Sequence, residues 1–124
     1  MKILIVDDSR MMRMVLRNIV KKLDHETIEA GDGEEALAVL AQHGYVDFIL
    51  LDWNIPLMNG FAVLQAVRKQ ALYDKTKIIM VTTEAEIESV QQALTAGAND
   101  YIMKPFTHEI VQDKIALLAS NALL

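Results

Sequence analysis

Short apolar runs and amphipathic stretches alternate along the whole of this 124-residue chain. Runs such as Ile3–Val6 and Phe48–Leu51 are entirely apolar, which is typical of strands buried on both faces of a parallel sheet. Between these runs, apolar residues recur at helical spacing. The alternation predicts an α/β fold, in which a doubly wound, five-stranded parallel sheet lies between layers of helices joined by right-handed crossovers.

The pattern gives approximate bounds for every element. The predicted strands are Lys2–Val6, Thr27–Ala30, Asp47–Leu51, Lys77–Val81 and Tyr101–Met103. The predicted helices are Ser9–Leu23, Asp32–Gln42, Gly60–Gln70, Glu86–Ala96 and Thr107–Ser120. Because no repeat, low-complexity segment or linker interrupts the alternation, we expect one domain over residues 1–124.

Composition and charge exclude several classes of protein. A hydrophobic content of 52% argues against disorder, and the absence of cysteine excludes disulfides and thiolate metal sites. The N-terminal apolar run is too short for a signal peptide or a membrane span. A net charge of -5 disfavours direct binding to nucleic acid. We therefore expect a cytoplasmic protein that contacts neither nucleic acid nor a membrane.

Acidic residues follow two of the buried strands. Asp7 and Asp8 come directly after the first strand, and Asp52 comes after the third. Because parallel strands end at the same edge of a sheet, we expect these carboxylates to lie close together. Like charges in one crevice repel each other unless a positive group lies between them. A hard divalent cation, which prefers oxygen ligands, is the simplest such group.

Two more polar residues end strands at the same edge. Thr82 follows the fourth strand and Lys104 follows the fifth. A carboxylate can form an aspartyl phosphate, while a metal, a cation and a hydroxyl position the phosphoryl oxygens. The pattern indicates a phosphoryl site with Asp52 as nucleophile, Asp7 and Asp8 as metal holders, and Lys104 and Thr82 as phosphoryl partners.

Structural alternatives exist for most of these residues. Asp7 and Asp8 can cap the first helix, and Asp52 can be a turn residue. Lys104 can be an ordinary surface lysine. The adjacent Thr83 can take the role assigned to Thr82. The structural alternatives do not explain why three acids converge at one edge.

With these motifs identified, the chain resembles the receiver domain of two-component response regulators over essentially its whole length. The motifs that carry the resemblance are Asp7-Asp8, Asp52, Thr82 and Lys104-Pro105-Phe106, each after its strand. Single-domain chemotaxis regulators also share Asp52-Trp53-Asn54-x-Pro56 and Val81-Thr82-x-Glu84. The resemblance implies a flavodoxin-like sheet with the strand order 2-1-3-4-5.

The resemblance also implies how the site works. Asp52 would accept a phosphoryl group from a histidine kinase or phosphotransfer protein. Mg²⁺ would be bound by Asp8, Asp52 and the backbone carbonyl of Asn54, with Asp7 assisting through water. Lys104 would bond the phosphoryl group, and in this family its peptide bond to Pro105 is commonly cis.

A conformational switch is implied as well. Thr82 would move towards the phosphoryl group, and the ring of Tyr101 would turn inward into the space that Thr82 leaves. Asn54 and Glu84 would flank the route of the water that hydrolyses the acyl phosphate. The changed surface of helix 4, strand 5 and helix 5 would bind a downstream effector, with a phosphatase as a further partner. We expect a monomeric signalling protein whose only catalysis is autocatalytic phosphoryl transfer and autodephosphorylation.

Two other classes share part of this pattern. Phosphatases of the haloacid dehalogenase type also use an aspartyl phosphate, but they carry Asp-x-Asp after strand 1, whereas Asp7 and Asp8 are adjacent here. Phosphorylation-independent adaptors keep the fold and usually lose an acid, the lysine or the threonine. This chain retains all of them.

Overall fold

The computed structural model describes residues 1–121, without the side chains of Glu84, Ala85, Ile87 and Asn121. Five parallel strands form one sheet in the order β2-β1-β3-β4-β5. The strands are β1 Lys2–Val6, β2 Glu26–Ala30, β3 Phe48–Asp52, β4 Lys77–Thr82 and β5 Asp100–Met103. The predicted fold class and strand order are confirmed.

Helices cover both faces of this sheet. They are α1 Arg10–Lys21, α2 Gly33–His43, α3 Gly60–Arg68, α4 Val90–Thr95 and α5 His108–Asn121, with short 3₁₀ helices at Ala71–Tyr73 and Glu84–Ser89. Alternate residues of β1 divide the core: Leu4 packs with residues of α2, α3 and α4, and Ile5 packs with residues of α1 and α5. Within the described part of the chain, every helix is too short or too polar to cross a bilayer.

The fourth helix begins later than the sequence predicts. The sequence pattern predicts a start at Glu86, but the segment Glu84–Ser89 is a 3₁₀ helix and α4 begins at Val90. The N–H of Glu86 donates to the carbonyl of Thr83, three residues earlier, at 3.0 Å. Bonds of this kind produce the tighter 3₁₀ turn, which is common at helix N-termini.

Gly60 lies where the start of α3 meets the end of β3. Its N–H donates to the carbonyl of Trp53 at 2.8 Å. A Cβ atom at this position would collide with the backbone oxygen of Asp52 and lie 2.9 Å from the Cα of Trp53. Backbone atoms cannot rotate away, so only glycine lets α3 approach the strand end that carries Asp52.

We therefore expect Gly60→Ala to lower the free energy of unfolding by about 1–3 kcal/mol, because overpacking displaces backbone. Gly31→Ala is the matched control, since its Cβ would meet only a side chain, chiefly the guanidinium of Arg13, at 3.3 Å. Urea unfolding of both variants measures the difference. Equal midpoints for the two variants would show that the close approach at Gly60 is not needed.

Candidate functional site

Three carboxylates meet at the carboxyl edge of the sheet. The register of β1 and β3 pairs Val6 with Leu51, so the next residues, Asp7 and Asp52, lie side by side. Both are buried, whereas Asp8 is exposed. One carboxylate oxygen from each acid lies within 4.8 Å of the others. The structure thus brings together the three acids that the sequence singles out.

Lys104 supplies a positive charge between the two buried acids. Its Nζ lies 3.1 Å from an oxygen of Asp7 and 3.4 Å from an oxygen of Asp52. Its backbone N–H donates to the carbonyl of Thr82 at 2.7 Å, which fixes the end of β5 against β4. The Lys104–Pro105 peptide bond is cis, as the resemblance implies.

The remaining contacts of Asp7 distinguish it from Asp8. The N–H of Ser9 donates to one carboxylate oxygen of Asp7 at 2.8 Å, and Lys104 contacts the other oxygen. Arg13 donates to the backbone carbonyl of Asp7 at 2.7 Å. Asp7 is therefore held in place by the protein, and Asp8 presents the more accessible carboxylate.

The pKa values reflect this crowding. Burial raises the pKa of Asp52 to about 6, and the charge of Asp7 adds to the rise while Lys104 opposes it. Burial lowers the pKa of Lys104, but attraction to Asp52 and Asp7 outweighs this effect, so its pKa is raised overall. Three carboxylates against one ammonium leave excess negative charge. Carboxylate oxygens at this spacing suit a hard divalent cation.

This electrostatic cost predicts that Asp52→Asn stabilises the protein in the absence of divalent cations. A carboxyl group whose folded pKa lies above its unfolded pKa favours folding less as it ionises. The penalty therefore develops between about pH 4 and about pH 6 and is complete above that range. At pH 7 we expect a gain of roughly 1–3 kcal/mol in the free energy of unfolding.

Urea unfolding in EDTA at several pH values measures this gain. Asp113→Asn, which changes an exposed acid outside the site, is the charge-matched control. A gain for Asp52→Asn that is the same at pH 4 and pH 7 would contradict the electrostatic explanation.

Thr82 lies at the same edge with its hydroxyl already engaged. Thr82 is buried, and its hydroxyl donates to Oε2 of Glu86 at 3.0 Å. The same oxygen accepts the N–H of Thr83 at 3.1 Å. The other carboxylate oxygen of Glu86 accepts the side-chain amide of Asn54 at 2.5 Å. Glu86 thereby joins the end of β4 to the loop after β3.

Sequence reasoning did not single out Glu86 as a site residue. One signal was available, because Thr83 and Glu86 have the Thr-x-x-Glu spacing of a capping box. That spacing predicts the bond to the N–H of Thr83. It does not predict the contacts with Thr82 and Asn54, which depend on tertiary structure.

Asn54, Tyr101 and Glu84 are the remaining residues to which the sequence assigns a role. Asn54 is exposed, two residues after Asp52. Tyr101 is partly buried on β5, with the ammonium of Lys114 at 5.4 Å from the centre of its ring. The role predicted for Glu84 concerns a side chain outside the described part of the structure.

Comparison with known proteins identifies the family. The response regulator receiver domain family matches residues 3–116, and the chain belongs to this family. A chemotaxis protein CheY homolog of Campylobacter jejuni is 42% identical over 116 residues, which cover 93% of this chain and 89% of that protein. The chemotaxis protein CheY of Pseudomonas aeruginosa is also 42% identical over 116 residues, covering 93% of each chain.

A solved structure also shows similarity to chemotaxis response regulators. The chemotaxis response regulator CheY4 of Vibrio cholerae superposes with a TM-score of 0.87 at 38% identity, covering 94% of this chain and 97% of that one. This protein is therefore a receiver domain of two-component signalling that is similar to CheY proteins.

Proposed function

We propose that this chain is a phosphorylation-activated switch that accepts a phosphoryl group on Asp52. One observation carries the proposal: a buried carboxylate at the carboxyl edge of the sheet has an ammonium at 3.4 Å and lies within a cluster of acids. Membership of the receiver family supports the same role. The receiver domain would extend over residues 1–124.

The chemical step requires little from the protein beyond position and charge. A carboxylate oxygen of Asp52 attacks phosphorus as the bond between phosphorus and the donor breaks, and the donor keeps the electron pair. A pKa of about 6 leaves Asp52 mostly ionised at neutral pH, so no proton has to leave it first. Lys104 already contacts this carboxylate and can bond an oxygen of the incoming group.

Mg²⁺ is the cofactor that we propose for the acidic cluster. Asp8, Asp52 and the backbone carbonyl of Asn54 would hold it, with Asp7 acting through water. Bound there, the ion would neutralise charge on the phosphoryl oxygens. The three carboxylates, close together and only partly balanced by Lys104, fit a doubly charged ion with oxygen ligands.

We expect Asp8→Ala to weaken Mg²⁺ binding at least about 10-fold, because Mg²⁺ uses few protein ligands and each contributes much. Trp53 directly follows Asp52 and stacks on Phe61, with ring centres 5.6 Å apart, so its fluorescence can report binding. The charge-matched control is Asp113→Ala, on the exposed face of α5. An Asp8→Ala variant that binds Mg²⁺ as tightly as the control would exclude this site.

The donor would be a histidine kinase or phosphotransfer protein, and the effector would bind the surface formed by α4, β5 and α5. Exposed apolar side chains support an interface there: Met103 is 39% exposed, Ile110 43% and Leu117 58%. Similarity to CheY proteins supports a chemotaxis pathway in the cytoplasm. A phosphatase would be a further partner and would shorten the lifetime of the phosphoryl group on Asp52. The chain would act as a monomer that also dephosphorylates itself.

Acetyl phosphate tests the proposed function directly. With Mg²⁺ present, the protein should gain the mass of one phosphoryl group, stable in acid and labile in base, as an acyl phosphate is. EDTA should prevent the gain. Intact-mass measurement that finds no added group, or a group that survives base, would overturn the proposal.

A further inference from the structure

We propose that Glu86 is a positioning residue that holds the hydroxyl of Thr82 in the resting state and competes for it with a phosphoryl group on Asp52. The inference deepens the proposed function and rests on it. Glu86 would set how much phosphorylation is needed before the switch responds.

The contacts place the carboxylate of Glu86 between two parts of the site. One oxygen lies 3.0 Å from the hydroxyl of Thr82, which is buried at the end of β4. The other oxygen accepts the amide of Asn54 from the loop after β3. Glu86 is thus tied both to the residue expected to move and to the loop that follows the phosphoacceptor.

Competition follows from the chemistry of a hydroxyl group. Thr82 has a single hydroxyl proton and can donate it to only one acceptor at a time. In the resting structure the charged acceptor is Glu86, and hydrogen bonds to a charged acceptor are stronger than those to a neutral one. A phosphoryl oxygen on Asp52 can receive this proton only after the bond to Glu86 breaks.

A second, weaker hydrogen-bond acceptor is available to the hydroxyl of Thr82. Its hydroxyl lies 3.2 Å from the backbone carbonyl of Thr83, a neutral acceptor. Loss of the carboxylate of Glu86 would therefore leave the buried hydroxyl with a partner. Substitution at Glu86 should release Thr82 without leaving an unsatisfied polar group in the core.

A simpler role for Glu86 is to cap the 3₁₀ segment. Its bond to the N–H of Thr83 is the reciprocal half of a capping box, and that bond alone would serve this role. Capping accounts for neither the contact with Thr82 nor the contact with Asn54. Glutamine is also accepted at this position of a capping box, so Glu86→Gln can remove the charge while keeping the cap.

The test measures binding of beryllofluoride, a stable mimic of a phosphoryl group on aspartate, in the presence of Mg²⁺ by Trp53 fluorescence. Glu86→Gln should tighten binding about 3- to 10-fold, because the phosphoryl mimic then competes with a neutral acceptor. Glu88→Gln removes an exposed charge from the same segment and should change binding less than about 2-fold. Thermal unfolding of both variants checks that the cap is kept.

Repeating the Glu86→Gln substitution in a Thr82→Val variant distinguishes two explanations. Glu86 can act through its bond to the hydroxyl of Thr82, or its charge can simply repel the anionic phosphoryl mimic. Thr82→Val removes the hydroxyl, so Glu86→Gln should then change binding less than about 2-fold if it acts through Thr82. Equal effects in both backgrounds, or an equal effect of Glu88→Gln, would overturn the inference alone. A wild-type protein that takes up no beryllofluoride would overturn the proposed function as well.

Discussion

Replacing Asp52 with asparagine should abolish phosphorylation by acetyl phosphate. An amide cannot form the acyl phosphate. The other two acids of the cluster, Asp7 and Asp8, are less suited to act as the nucleophile. Asp7 also contacts Lys104, but its second oxygen already accepts the N–H of Ser9. Asp8 is exposed and forms no ion pair with Lys104 among the described contacts.

Intact-mass measurement after incubation with Mg²⁺ and acetyl phosphate gives the result. Asp113→Asn should be phosphorylated like the wild type, since it removes the same charge from an exposed position on α5 outside the acidic cluster. Loss of folding cannot explain a negative result, because Asp52→Asn is expected to be the more stable protein at neutral pH. An added phosphoryl mass on the Asp52→Asn variant would place the nucleophile elsewhere, and peptide mapping would locate it.

The parts of the site that could be predicted from the sequence are those fixed by strand ends. Ile3–Val6 and Phe48–Leu51 are buried on both faces of the sheet, so their apolar character marks them clearly. The parallel register of β1 and β3 then places Asp7 beside Asp52, independently of the conformation of the loops. The β2 strand was predicted one residue short because it is only partly buried, and its pattern is correspondingly weaker.

The network around Glu86 could not be predicted in the same way. Its contact with Asn54 joins residues 32 apart in sequence, and both are partly or fully exposed. No periodicity constrains such side chains, since solvent offers each of them other partners. The late start of α4 has a similar origin, because the turn at Thr83 and Glu86 replaces the first α-helical turn.

Replacing Thr82 with alanine should leave Asp52 open to phosphorylation but uncouple it from the surface of α4, β5 and α5. In the wild type, a dianionic phosphoryl group bonded to Lys104 would offer the hydroxyl of Thr82 a charged acceptor in place of Glu86. Movement of Thr82 would vacate space beside β5. Tyr101 is partly buried on the neighbouring strand and pairs in register with Met80, two residues before Thr82, so we expect its ring to fill this space.

The expected size of the effect follows from the energetics of coupling. Phosphorylation can shift the ring only through its different interaction with the two packing states. Typical coupling corresponds to roughly 5- to 150-fold tighter effector binding on phosphorylation. Thr82→Ala should lose most of this increase. It should also lose the phosphorylation-dependent NMR shifts of Tyr101, whose ring lies 5.4 Å from the ammonium of Lys114 before phosphorylation.

Thr83→Ala is the matched control, because Thr83 is the adjacent threonine and its side chain is exposed. Its backbone N–H still donates to Glu86, so the local turn should be retained. We expect this variant to respond to phosphorylation like the wild type. If instead Thr83→Ala loses the Tyr101 shifts and Thr82→Ala keeps them, the switch runs through Thr83. If both variants keep the Tyr101 shifts, phosphorylation changes the effector surface without the hydroxyl of Thr82 or of Thr83.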